Sequence, residues 1–245
     1  MIDVILTPAA LPESGLENAQ VVVFDVLRAT TSITAGLFHG AKDVRLFGTL
    51  DDARAAKKAA GTGPFVLAGE SKCLRPEDFD LGNSPREFVT EKVGGSSIFL
   101  ATTNGTRAAV AAQNAERLFA GSLLNAEATA KALLPRLDHV HTLLLCAGTN
   151  GQLACEDVIG AGAVLFTLLQ TTYRADLPFT DSAWLAYHSF AAVRERLPAA
   201  LRLGQGGINV IEAGLEDDID FSARLNACPI VCEIQKTPSL RVVKI

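Results

Sequence analysis

Three carboxylates and four cations carry the chemistry open to this sequence. Asp25 ends the apolar run Val21-Val22-Val23-Phe24, and Glu70 follows Pro64-Phe65-Val66-Leu67-Ala68-Gly69. Asp157 follows the turn Gly148-Thr149-Asn150-Gly151. Carboxylate oxygens of this kind are the ligands that Mg²⁺ prefers. Arg28, Lys72, Arg75 and Arg107 can neutralise several negative charges, and an arginine can hold an oxyanion at two points. Thr102-Thr103-Asn104-Gly105-Thr106-Arg107 reads as a turn into a helix start, which offers backbone N–H groups and hydroxyls to an anion. Together this is an inventory for phosphate and a hard cation. Phosphate-monoester hydrolysis is among the slowest uncatalysed reactions, with enzymatic accelerations up to roughly 10²¹-fold. Cations and oriented donors aimed at the transferring group supply that acceleration.

The elements that must position these groups alternate between strand and helix patterns, which predicts an α/β fold. Strands are expected at 21–25, 44–47, 64–68, 98–100, 117–120 and 141–146. Helices are expected over 30–39, 50–60 with Thr49 as cap, from about 104 to 113, 125–134 and 155–171. The stretch 181–226 reads as mostly helical. Residues 230–235 and 241–245 read as two strands around Pro238-Ser239, an antiparallel hairpin expected at a sheet edge. The expectation is a three-layer α/β/α fold with a mostly parallel sheet in one domain, residues 1–245. Residues 71–95 form a long excursion, and loops of that length are often functional. In a parallel sheet the strand ends carrying Asp25, Glu70, Thr103 and Thr149 point to one edge, where open α/β sheets place their sites.

The bulk numbers bound the class. The chain has 245 residues, 49% of them hydrophobic, and a net charge of −5, so a global basic footprint for nucleic acid is absent. No run of about 18 apolar residues predicts a membrane span. The segment after Met1-Ile2-Asp3 lacks the pattern of a signal peptide. Five scattered cysteines argue against a disulfide framework and for a reducing cytoplasm. The apolar C-terminal half is compatible with a homodimer.

Each chemical signal also has a plain structural explanation. Asp25 and Arg28 can be an ion pair, Glu70 a solvated loop residue, and Thr103 to Thr106 an ordinary capping turn. Glu156-Asp157 at a helix start is favourable through the helix dipole alone. The functional reading rests on four such signals falling at one sheet edge. Sharper motifs are missing. There is no Gly-x-x-x-x-Gly-Lys-[Ser/Thr], no Gly-x-Gly-x-x-Gly after the first strand, and no zinc-type cysteine or histidine pairing. His39, His139, His141 and His188 sit at strand or helix positions. Cys146 lacks an arginine six residues on, where Gln152 stands, which argues against a cysteine phosphatase.

Taken together, Asp25-Val26-Leu27-Arg28-Ala29-Thr30, Gly69-Glu70, Phe79-Asp80, Asn83-Ser84-Pro85 with Glu87, Thr102 to Arg107, and Ala147-Gly148 with Gly151 and Asp157 resemble the 2-phosphosulfolactate phosphatase family. The resemblance runs in order over about 20–165 and more weakly to the C-terminus. It implies a three-layer α/β/α fold, Mg²⁺, and hydrolysis of the phosphate ester of a small 2-hydroxy acid to sulfolactate and phosphate. The family usually carries a small residue where Cys73 stands, and some members carry Asp where this chain has Glu156.

On this reading Asp25, Glu70 and Asp157 hold the cation. Arg28, Arg107, Thr103 and the Asn104-Gly105-Thr106 backbone hold the phosphoryl oxygens. Asn83, Ser84 and Lys72 or Arg75 read the carboxylate and sulfonate. Asp25 is expected either to attack phosphorus or to bind the metal. Two alternatives stand beside it. A haloacid-dehalogenase-type phosphatase needs a second Asp two residues after the first, where Leu27 sits. A non-catalytic phospho-acid-binding domain gains nothing from carboxylates near its anion.

Overall fold

The computed structural model describes residues 1–174, 176–236 and 239–245. The strands are β1 (Ile2–Ile5), β2 (Ala19–Phe24), β3 (Asp43–Phe47), β4 (Phe65–Gly69), β5 (Ser97–Ala101), β6 (Arg117–Gly121), β7 (His141–Cys146), β8 (Cys232–Gln235) and β9 (Arg241–Lys244). The helices are α1 (Ala29–Phe38), α2 (Leu50–Ala59), α3 (Thr90–Val93), α4 (Asn104–Ala111), α5 (Ala126–Leu133), α6 (Cys155–Thr172), α7 (Asp181–Val193), α8 (Leu197–Leu201), α9 (Gln205–Glu212) and α10 (Asp217–Ser222). The capping expected at Thr49 is present, with its hydroxyl accepting the Asp52 N–H at 3.1 Å. No helix among the described residues is long and apolar enough to cross a membrane.

Among the described residues, nine strands join one sheet in the order β1-β7-β2-β6-β8-β9-β3-β5-β4. Pairing is parallel within β1-β7-β2-β6 and within β3-β5-β4. Side chains alternate across the sheet. Val21 and Val23 meet α1 and α4 on one face, while Val22 and Phe24 meet the α5–α10 layer on the other. Behind β5, Phe99 and Ala101 pack on α2 through Ala53. Helices therefore cover both faces, and the α/β/α layering is as expected.

The C-terminal hairpin corrects one expectation. β8 and β9 do pair antiparallel, but they lie inside the sheet, with β8 on β6 and β9 on β3, rather than at an edge. Pro238 of the expected turn lies outside the described residues. The reason is burial. Ile234 and Val242 belong to the same core as α1, and a strand pair with one apolar face is most stable where that face is covered.

This insertion has a consequence for direction. Each of the three steps β6-β8, β8-β9 and β9-β3 is antiparallel, so β3, β5 and β4 run opposite to β1, β7, β2 and β6 along the ladder. A flat sheet of this order would send the ends of β2 and β5 to opposite edges. Five strand steps separate β2 from β5, and the usual twist accumulates to about 100–125° over that distance. The two halves consequently coil around α1 and α4 and share one core with them. That coiling, not a shared parallel direction, brings the carboxyl ends of β2, β4 and β5 together.

β1 carries no expectation from the sequence pattern. Asp3 interrupts its short apolar run and is held there by the hydroxyls of Thr180 and Ser182. On the opposite layer, α6 and α7 touch at Gly162. A Cβ there would overlap the Ala186 carbonyl oxygen and lie 2.8 Å from the Phe190 Cβ. Gly162→Ala is therefore expected to destabilise the fold by about 1–3 kcal/mol, outweighing the roughly 1 kcal/mol that alanine contributes inside a helix. Urea unfolding of the variant checks this, and a variant as stable as the parent would contradict the close packing.

Candidate active site

Asp25 leaves the buried end of β2 and is itself 8% exposed. Its Oδ1 accepts the Ala29 N–H at 3.2 Å, at the start of α1. Its Oδ2 faces Gly105 at the start of α4, where a Cβ would stand 2.9 Å from that oxygen. Glycine at 105 is what permits this approach. Two helix N-termini thus converge on one carboxylate, as their partial positive charge favours. Burial nevertheless dominates and raises the Asp25 carboxyl to about 6; the Ala29 and Gly105 amides oppose the rise, Glu70 adds to it, and the Arg28 guanidinium opposes it.

Two further acids lie behind Asp25 at the start of α6. Asp157 is buried, its Oδ1 accepting the Val26 N–H at 2.8 Å and its Oδ2 the Gly148 N–H at 3.0 Å. It ties the loop after β2 to the loop after β7. Burial raises its carboxyl well above the usual carboxylate range, Glu156 and Asp25 add to this, and the two amides oppose it. Glu156 is 2% exposed, and its Oε2 has no hydrogen-bond partner among the described residues. Burial raises it to about 7, with its own backbone amide opposing and Asp25 adding to the rise.

Arg28 is buried and anchors three distant segments. Its Nη1 donates to Asp218 Oδ2 at 2.7 Å, and its Nη2 donates to the Cys73 carbonyl at 2.7 Å. Ser84 Oγ donates to the other oxygen of Asp218 at 2.5 Å. The loop after β4, the turn at 83–85 and α10 are thereby joined to the start of α1. Asp218 was not anticipated from sequence. It sits in a short acidic stretch, Glu216-Asp217-Asp218, and only its burial separates it from exposed Asp217.

A cleft of about 770 Å³ opens where these loops meet. Asp25, Arg28, Glu70, Lys72, Asn83, Thr103 and Asn104 all line it. These come from the ends of β2, β4 and β5 and from the long excursion, so the expected convergence is present. Thr149 and Asn150 extend the lining from the β7 loop. Glu70 Oε2 accepts the Cys73 N–H at 2.8 Å, which shapes the turn that carries Lys72.

Other expected site residues are placed elsewhere. Arg107 is exposed on α4, a turn beyond Asn104, and does not line the cleft. Arg75 is exposed and donates to the Asp80 carbonyl at 3.2 Å, away from the cleft wall. Asp157 does not line the cleft either, because backbone amides engage both of its oxygens. Ser84 is committed to Asp218, and Thr106 is paired with Thr102, Oγ1 to Oγ1, at 3.2 Å. Gly105 contributes close backbone approach rather than lining surface.

The donor chemistry suits a hard divalent cation. Asp25 and Glu70 present carboxylates to the cleft, and Asn83 Oδ1 is buried there without a partner among the described residues. Glu70 raises Asp25, Asp25 raises Glu156, and both Glu156 and Asp25 raise Asp157, a repulsion that a bound cation would relieve. Among the described residues, no three His, Cys, Asp or Glu side chains stand grouped as a preformed metal cluster.

Two expected outcomes follow from this electrostatic arrangement. The unfolded chain releases its carboxyl protons near pH 4, whereas Asp25 and Glu156 keep theirs to about 6 and about 7. The folded protein binds more protons in that window, so its stability falls as pH rises through it. In urea without added metal, the unfolding free energy should drop by on the order of 1–3 kcal/mol between about pH 5 and about pH 8, and Asp25→Asn should flatten the drop. A profile that rises over this range would refute the account. Separately, Asp218→Ala leaves the buried Arg28 charge unpaired and should cost about 3–5 kcal/mol in the same assay.

Comparison with known proteins bears directly on this cleft. A protein-family model described as 2-phosphosulpholactate phosphatase matches residues 5–237. A probable 2-phosphosulfolactate phosphatase of Caldanaerobacter subterraneus subsp. tengcongensis is 34% identical over 226 residues, covering 92% of each chain. One from Thermotoga maritima is 36% identical over 221 residues, covering 90% of this chain and 89% of that protein. One from Carboxydothermus hydrogenoformans is 35% identical over 233 residues, covering 95% and 92%. The match takes in every loop that builds the cleft, from Asp25 to Asp218, and the chain belongs to the 2-phosphosulfolactate phosphatase family, a family of phosphoric monoester hydrolases.

Proposed function

We propose that this chain hydrolyses 2-phosphosulfolactate to sulfolactate and phosphate with Mg²⁺. The observation that carries the reading is the meeting of Asp25, Glu70, Arg28 and the start of α4 in one cleft. Asp25 and Glu70 would hold the cation, with Asn83 Oδ1 as a neutral oxygen beside them. Bound there, Mg²⁺ supplies neutralisation of the phosphoryl oxygens as charge develops on them.

The chain's own groups do the rest. The N–H groups at the start of α4, with Thr103 and Asn104, hold phosphoryl oxygens in the field of the helix N-terminus. Arg28 lines the cleft and keeps N–H donors beyond the two engaged by Asp218 and Cys73. Because Asp218 and Cys73 fix the guanidinium, it needs no rearrangement when phosphate arrives. Asp25, raised to about 6 by burial, is still mostly ionised at neutral pH and so can serve as an oxygen ligand to the cation. Lys72, on its turn at the rim, attracts the acid end of the substrate. The five unpaired cysteines favour a reducing compartment, the cytoplasm.

Phosphate release from 2-phosphosulfolactate tests the proposal. Release should require Mg²⁺, stop with chelator and return when the ion is restored. Asp25→Asn should lower kcat by at least about 100-fold. Near-parental turnover of that variant with Mg²⁺ present would remove Asp25 from the reaction. Absence of release under every metal condition would leave a phospho-acid-binding domain instead.

A further inference from the structure

One wall of the cleft has no part in the phosphate chemistry described above. Gly206, Asn209, Val210 and Ala213 all line it. Their spacing is i, i+3, i+4 and i+7, so α9 turns one continuous side toward the cavity. Asn209 is the polar group on that side. Gln205 Nε2 donates to Asn209 Oδ1 at 2.8 Å. With its oxygen occupied, and with no partner for Nδ2 among the described residues, the Asn209 amide keeps two N–H donors for a ligand.

The helix that carries Asn209 is held in a fixed place. A Cβ at Gly206 would overlap Glu156 Oε1, and one at Gly204 would lie 2.9 Å from Oε2. A Cβ at Gly207 would overlap the Leu201 carbonyl oxygen. Three glycines thus let the first turn of α9 rest directly on the buried Glu156 carboxylate and on the end of α8. Asn209 follows within one turn, on a rigid element rather than a loop.

A fixed pair of N–H donors suits an acceptor-only group, and carboxylate and sulfonate are both of that kind. Lys72 adds charge from a flexible stem, whereas Asn209 adds direction. Glu212, exposed at the rim beyond Asn209, disfavours an anion placed further out. We propose that Asn209 is a specificity-determining residue, donating from Nδ2 to the acid group at the non-reacting end of the substrate. This rests on the phosphatase reading above and extends it to substrate selection.

The test compares the parent with Asn209→Ala, which removes the amide, and Asn209→Asp, which keeps its shape but replaces the donor by an acceptor. Phosphate release is measured from 2-phosphosulfolactate, 2-phospholactate and p-nitrophenyl phosphate. KM for 2-phosphosulfolactate should rise about 10- to 100-fold in N209A, the scale of one hydrogen bond to a charged group, and further in N209D. The preference in kcat/KM for this ester over p-nitrophenyl phosphate should fall by the same order. Loss on both acid esters assigns the carboxylate to Asn209, and loss confined to the sulfonated ester assigns the sulfonate. KM within about twofold of the parent in both variants, or equal losses on all three substrates, overturns the proposal. Calorimetric titration with sulfolactate separates this from the reaction itself. A parent protein that binds sulfolactate but releases no phosphate overturns the phosphatase reading alone, and the weaker binding expected of N209D then still supports Asn209. Undiminished sulfolactate binding by N209D, or none by the parent, overturns the role of Asn209.

Discussion

The structure depends on which groups answer two buried carboxylates, Asp25 and Asp157. Among the described residues neither has a cation donating directly to it. Backbone amides do the work instead: Ala29 and Gly105 serve Asp25, and Val26 and Gly148 serve Asp157. Those amides belong to the loops after β2, β5 and β7 and to the starts of α1 and α4. An amide that must point at a carboxylate fixes the path of its own loop, so three segments distant in sequence are locked into one arrangement. The field of the helix N-termini favours this geometry, but the raised carboxyls show that burial outweighs it. The site therefore carries uncompensated electrostatic cost, a common property of functional clefts.

That arrangement also needs the inserted hairpin. Without β8 and β9 between them, β6 and β3 would have to pair directly, and the accumulated twist that brings the end of β5 to the end of β2 would be smaller by two strand steps. Gly105 could not then approach Asp25 as closely as it does. The last strands of the chain, far from any chemical residue, are in this sense part of the construction of the site. The helices α7 to α10 do the complementary task on the other layer. They cover the apolar side of α6 and deliver Asp218 to Arg28 and Asn209 to the cleft.

Much of this was legible in the sequence. Val21 to Phe24 and His141 to Cys146 are apolar enough to be read as strands, and the Thr49 cap marks a helix start. Asp25, Glu70, Lys72, Thr103 and Asn104 line one cleft, and the sequence could group them because each follows a strand pattern. What the sequence hid depends on long-range geometry. The hairpin's position is decided by which face of the sheet lacks cover, and no local pattern states that. Arg107 and Arg75 have the right chemistry, but their side chains leave the cleft wall. Asp157 has the right chemistry too, but its oxygens are consumed by amides of two other loops. Asp218 and Asn209 lie in segments whose helical pattern gives no hint that one returns to Arg28 after β2 and the other to the cleft.

The two arginines near the site illustrate how burial sorts charge by task. Arg107 is exposed, so its charge is screened by solvent and contributes little at a distance. Arg28 is almost wholly buried, and a lone guanidinium there would be too costly to keep. Asp218 makes it tolerable, and Ser84 in turn satisfies the second oxygen of Asp218. The cost of burial is thereby converted into rigidity, because each member of the chain Ser84–Asp218–Arg28–Cys73 is held by the next. A rigid guanidinium at the wall of an acid-rich cleft does two things at once. It offsets part of the repulsion between Asp25 and Glu70, and on the proposed function it would offer an approaching dianion a donor already in position. The same burial that raises Asp25 is thus what makes Arg28 effective.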